Sequence, residues 1–109
     1  MLFRSKIECL YWKECPSWSR ALEDLQGIVK EEGIDPAEIQ VSEVTSEDQA
    51  AAVDFYGSPT IRVNQQDVQP VSNHEGARLT CRVYRLRDGR VSPLPDPEDI
   101  RSLLREQTG

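Results

Sequence analysis

The chain has 109 residues, a formal charge of −6 and a composition of 38% hydrophobic and 29% charged residues, which fits one globular domain with a modest core rather than a disordered segment. The acidity argues against a dedicated nucleic-acid binder, because neutralising phosphates takes a basic patch and the Lys and Arg residues are scattered among more numerous acids. No apolar run of about 18 residues is present to span a membrane, and no basic-then-apolar leader opens the chain; the expectation is a single cytoplasmic domain over residues 1–109 with no membrane or nucleic-acid partner and an open oligomeric state.

Residues 6–12, KIECLYW, are short, mostly apolar and bounded by charge, as expected of a strand covered on both faces. Alternation puts Ile7, Cys9 and Tyr11 on one side and Leu10 and Trp12 on the other, and requires Glu8 to lie near a strand end or find a partner. The turn Cys15-Pro16-Ser17-Trp18 follows, with Pro16 suited to the first helical position and Cys15 therefore to the N-cap. Trp18, Ala21, Leu22, Leu25, Ile28 and Val29 recur at helical spacing, and Gly33 stops the helix. Ile39, Val41 and Val44 predict a second strand, less apolar and so nearer the sheet edge.

Ser46-Glu47-Asp48-Gln49 has capping-box spacing and opens a short alanine-rich helix that carries Val53 and Phe55 inward and ends by Gly57. Gly57-Ser58-Pro59-Thr60 then leads into the strand Thr60-Ile61-Arg62-Val63, where a proline at the strand start deletes no ladder hydrogen bond and a cis peptide is tolerated. Residues 64–79 are polar and read as an ordered surface loop. Residues 80–86 read as a further strand with Asp88-Gly89 as its turn, and Asp96-Pro97-Glu98-Asp99 opens a final helix whose buried stripe is Ile100, Leu103 and Leu104.

The predicted order is β-α-β-α-β-β-α: an α/β fold with a mixed four-stranded sheet flanked by three helices. Helical crossovers would make the first three strands parallel, and the strand at 80–86 would lie antiparallel beside the third.

Three cysteines, Cys9, Cys15 and Cys81, stand at unrelated spacings with a single histidine, which is neither a disulfide framework nor a zinc pattern, so no metal site and no bound cofactor are expected. Cys15 is the candidate for chemistry, because the first unpaired N–H groups and positive end of a helix favour a thiolate. Lys13 and Arg20 are near in sequence and would help; Glu14 would oppose unless it points away. The other reading of Cys15 is a partly buried cysteine without a reaction.

That order, with a cysteine-proline turn after the first strand and a Ser-Pro-Thr turn before the third, resembles the thioredoxin superfamily. Residues 11–18, YWKECPSW, resemble its active-site segment with the first cysteine kept and the second replaced by Trp18. Gly57-Ser58-Pro59-Thr60 is similar to its cis-proline loop. The resemblance implies that Pro59 lies against Cys15 and that the Ser58 backbone is open to pair with a bound thiol peptide. Within that superfamily the chain resembles small bacterial thioredoxin-like proteins that pair such a turn with a later Leu-Thr-Cys-Arg motif, here Leu79-Thr80-Cys81-Arg82.

Trp18 cannot resolve a mixed disulfide, so the turn by itself does not support two-cysteine exchange. The resemblance then implies a one-cysteine redox protein with an accessible Cys15 as nucleophile, Ser58, Pro59 and Trp18 contacting the substrate, and glutathione or a similar small thiol as co-substrate. Cys81 is a possible second thiol, yet a strand at 80–86 antiparallel to the third would start far from Cys15, and a buried small-hydrophobe role is the expectation for it. Cys9 reads as core packing. His74 beside Glu75 is a general base only if its loop folds over Cys15. Arg82 and Arg85 either bind an anion or solvate an exposed face. A non-catalytic binding module with Trp18 in its contact surface, and capture of a soft metal by Cys15 and Cys81, stand as alternative functions.

Overall fold

Residues 6–70 and 76–108 are described by the structure, a computed structural model. Strand β1 (Ile7–Tyr11) lies inside a mixed four-stranded sheet of order β2-β1-β3-β4, with β2 at Ile39–Glu43, β3 at Thr60–Val63 and β4 at Gln66–Asp67. β1 runs parallel to β2, pairing Ile7 with Ile39 and Tyr11 with Glu43. It runs antiparallel to β3, pairing Ile7 with Val63 and Leu10 with Thr60.

The expectation of three parallel strands is therefore corrected at β3. Helix α2 (Glu47–Ala52) has only six residues, about 9 Å of rise, whereas a parallel return must carry the chain back along the whole length of its neighbour at about 3.3 Å per strand residue. The chain instead turns at Gly57 and enters β3 from the Leu10 end of β1.

A second correction concerns the strand beside β3. Asn64 and Gln65 adopt positive φ values of 53° and 73°, a two-residue turn of the kind that closes hairpins, and it delivers β4 to the edge of β3. That edge is then taken within the stretch read as loop. The segment at 80–86 contributes only β5 (Tyr84–Arg85), which pairs with β6 (Val91–Ser92) in a separate two-stranded ribbon turned at Gly89.

Helix α1 (Trp18–Glu31) and helix α3 (Pro97–Thr108) cover one sheet face. Leu25, Ile28 and Val29 from α1 and Ile100, Leu103 and Leu104 from α3 pack on Ile7, Cys9, Ile61 and Val63. Alternation along β1 sends Leu10 to the opposite face, where it meets Val44 and, from the α2 region, Ala50 and Phe55. β2 is the edge strand its composition predicts, with Val41 exposed. One 3₁₀ turn at Pro36–Glu38, capped by Asp35, precedes it.

The Ser46 hydroxyl accepts the Gln49 N–H at 3.1 Å, as the capping box requires, but the Gln49 side chain reaches one residue further back, to the N–H of Thr45 at 2.9 Å. Glu8 has Lys6 as its ion partner at 3.9 Å through Oε2, while its buried Oε1 has no hydrogen-bond donor among the described residues.

Phe55 is fully buried, so Phe55→Ala is expected to cost about 3–5 kcal/mol. Ser46→Ala, which removes one cap bond at the surface, is expected to cost about 1 kcal/mol. Urea unfolding of the oxidised protein measures both, and near-equal costs would mean that α2 is held by its cap rather than by the core.

Candidate functional site

Cys15 lies in the turn between β1 and α1, where its N–H donates to the Trp12 carbonyl at 3.0 Å. The N-cap of α1 is Ser17, so Cys15 precedes the helix and Pro16 is not its first residue, contrary to the sequence expectation. Ser17 has helical backbone angles and caps nothing with its side chain. Its hydroxyl lies 3.7 Å from the Cys15 Sγ instead. A serine hydroxyl freed from capping is thus a polar neighbour of the sulfur.

The sulfur is also 3.6 Å from the Ser58 carbonyl oxygen, and it is bonded to Cys81 across 66 residues of sequence, with the two Cα atoms 5.6 Å apart. Two expectations fall here. Cys15 is not an accessible lone sulfur, since the residue is only 2% exposed. Cys81 is neither distant nor a buried hydrophobe: it is exposed and sits at the Cys15 end of the sheet. The reason is topological, because the segment around Cys81 pairs with the turn before β3 and not with β3 itself, in a parallel bridge between Ser58 and Cys81.

Ser58 is the hub of that arrangement and is fully buried. Its N–H donates to the Thr80 carbonyl at 2.8 Å and its carbonyl accepts from the Arg82 N–H at 2.9 Å. Its hydroxyl accepts from the Trp12 N–H at 3.0 Å and faces the Trp12 carbonyl at 3.4 Å. The Ser58 backbone is therefore engaged by the protein's own chain, where the resemblance implied an open edge for a peptide. The Ser58–Pro59 bond is cis. The buried Pro59 holds its carbonyl toward Tyr84, whose hydroxyl donates to it.

Trp18 stacks on Tyr11 with ring centroids 4.0 Å apart and planes 18° from parallel, both rings half-buried beside the cysteine turn. Lys13 and Glu14 are exposed, and Arg20 pairs with Asp24 at 3.3 Å along the helix. Arg82, an anion binder or surface residue by sequence, is buried at 6% exposure and bonded to Asp67; Arg85 is exposed and donates to the Gly89 carbonyl. His74 and Glu75 lie outside the described residues. Asp67 and Tyr84 hold Arg82, the residue after Cys81, and carry no local motif, so nothing in the sequence singles them out.

Cys9 is the free cysteine among the described residues, buried in the core under α1 and α3. Burial alone pushes its thiol up to about 12. Among the described residues no group of three or more His, Cys, Asp or Glu side chains is placed to hold a metal ion, and no helix is long and apolar enough to cross a membrane. No protein-family model, curated protein or solved structure matches the chain.

The Cys9 shift fixes a pH dependence. The unfolded chain releases this proton near 9 and the folded protein near 12, so above pH 9 the unfolded state binds fewer protons and is favoured. The Cys9 contribution is whole below that pH and is lost between the two values at about 1.4 kcal/mol per pH unit. Cys9→Ala should flatten the stability profile in this window relative to the parent protein. An unchanged slope would show that Cys9 ionises as freely folded as unfolded.

Proposed function

We propose that the chain is a thioredoxin-like protein that exchanges thiols and disulfides through the Cys15–Cys81 pair, the exposed Cys81 meeting the partner and the buried Cys15 serving as the internal thiol, with glutathione or a protein thiol as partner. Support for the fold assignment comes from the β-α-β-α-β-β-α core of the sheet and its helices, the cis Ser58–Pro59 bond ahead of β3, and a cysteine after β1 whose sulfur faces that turn. The observation that carries the functional reading is the asymmetry of the pair: Cys15 is buried between Ser17 and Ser58, and Cys81, bonded to it, is exposed.

That asymmetry assigns the roles in exchange. An incoming thiolate attacks the Cys81 sulfur, forms a mixed disulfide there and expels Cys15 as a thiolate. A thiolate accepts hydrogen bonds only, so the Ser17 hydroxyl donates to it; once Cys15 takes up a proton, its S–H can donate to the Ser58 carbonyl. A second thiol then attacks the mixed disulfide, leaving the protein as a dithiol and the two small thiols joined as a disulfide. Two electrons pass from the thiols to the protein, and the reverse sequence reduces a partner's disulfide.

A second reading is favoured by the Tyr11–Trp18 stack. Two half-exposed rings beside the cysteine turn present a flat apolar surface, and such rings anchor protein contacts. On that reading the fold is a binding module and the disulfide is a crosslink.

Millimolar reduced glutathione at neutral pH separates the two. Exchange predicts that reduced glutathione converts the oxidised protein to the dithiol, that the Cys81 thiolate of Cys15→Ser attacks added oxidised glutathione to give a stable adduct and one released reduced glutathione, and that Cys15 in Cys81→Ser reacts slowly with the same oxidised glutathione, each read by mass spectrometry. A disulfide that persists unchanged, or an adduct that forms faster on Cys15 than on Cys81, would end the exchange reading as written.

A further inference from the structure

The Cys15–Cys81 bond does not by itself hold the chain around Cys81 in place. Arg82, the next residue, sends its guanidinium inward, where Nη1 and Nη2 donate to the two carboxylate oxygens of Asp67 at 2.8 Å each. Nη2 also donates to the Gln69 carbonyl, and Nη1 lies 3.5 Å from the Thr60 hydroxyl. The guanidinium carbon stands 4.4 Å from the centre of the Tyr84 ring, and the Tyr84 hydroxyl donates to the Pro59 carbonyl. Bidentate arginine–carboxylate contact of this kind fixes direction as well as distance.

The contacts converge on the turn that Cys15 faces. A Cβ on Gly57 would stand 2.9 Å from the Arg82 Cβ, so the glycine lets the two segments approach, and Arg82 and Thr80 then bracket Cys81 with main-chain bonds to Ser58. Asp67 reaches this place from β4, the strand set beside β3 by the Asn64–Gln65 turn. None of these contacts is made by either sulfur.

We propose that Arg82 and Asp67 form a clamp that presents Cys81 to Cys15 whether or not the two sulfurs are bonded, with Asp67 as a positioning residue. The proposal rests on the exchange reading for its use, though not for its geometry. Two thiols held at fixed separation close as an intramolecular step, whose effective concentration rises as their relative motion is restricted. The clamp therefore sets how strongly the protein prefers its disulfide and how briefly a mixed disulfide on Cys81 survives before Cys15 displaces the bound thiol.

The test is the equilibrium of the full chain with a glutathione redox buffer. Asp67→Asn, and the double substitution Asp67→Leu with Arg82→Met, which removes both buried charges together and so avoids stranding either one, are compared with the parent protein. The expected result is a shift toward the dithiol of at least about ten-fold, with a longer-lived glutathione adduct. A merely structural role would lower the melting temperatures of the dithiol and disulfide forms alike and leave this equilibrium within about two-fold of the parent, which would overturn the clamp.

Should those variants fail to fold, Asp67→Glu, which keeps the charge and moves the carboxylate by one methylene, and Tyr84→Phe, which removes only the hydroxyl bonded to Pro59, decide by the same equilibrium. A shift in either supports the clamp; no shift in both refutes it. Failure of the exchange reading looks different: the parent disulfide reacts with glutathione too slowly to matter, and a dithiothreitol redox buffer, which reduces disulfides by an intramolecular second step, then brings parent and variants to the equilibrium whose ratio decides the clamp.

Discussion

Two main-chain hydrogen bonds at Ser58, one given to Thr80 and one accepted from Arg82, are the constraint on which the candidate site depends. They join a turn at the head of β3 to a segment more than twenty residues later, and in doing so they bring a second sulfur to Cys15. With the Arg78 N–H bond to the Phe55 carbonyl they register residues 78–82 against the turn before β3, since the ribbon that follows pairs with itself. Main-chain groups buried in a turn must be satisfied by something. Here the chain satisfies them internally, through Thr80 and Arg82.

The placement of charge follows from the same constraint. Once Arg82 is drawn to Ser58, its side chain is carried into the interior at the end of the sheet, where an unpaired guanidinium would be costly. Burial opposes its charge most strongly, and the hydrogen bonds of Asp67 together with electrostatic attraction to Tyr84 and Asp67 outweigh it, so Arg82 titrates above its ordinary range. Tyr84, buried beneath that cation, has its phenol pushed well up by desolvation, and it stays a hydrogen-bond donor to the Pro59 carbonyl. The polar side chains around the disulfide are thus mutually satisfied, which is what allows a buried polar network to hold a specific geometry.

The contrast between the two faces of the sheet shows where variation is affordable. Beneath α1 and α3 the packing is apolar and continuous, and Cys9 there is inert by burial. On the opposite face the apolar cluster is small, built around Leu10, Val44 and Phe55, and Glu8 leaves one carboxylate oxygen without a donor among the described residues. The Cys15–Cys81 disulfide sits at the end of the sheet, where the turns after β1 and before β3 meet.

Local patterning was enough to locate α1, α2 and α3, the strands β1, β2 and β3, the edge position of β2, the terminating Gly33 and the buried stripe of Ile100, Leu103 and Leu104, because each is written in spacing over a few residues. It also marked Cys15 as the candidate for chemistry, whereas the expectation that the Ser58-Pro59 turn lies against it came from the resemblance to the thioredoxin superfamily. The direction of β3, the identity of β4 and the meeting of Cys81 with Cys15 are absent from that pattern. They are decided by a crossover too short to return and by a hairpin turn made from Asn64 and Gln65 without glycine. They also depend on an ion pair between Asp67 and Arg82, whose partners have no local spacing that announces them. Periodicity reports which face of an element is buried; which elements become neighbours depends on where the connecting chain can physically reach, and only the folded molecule settles that.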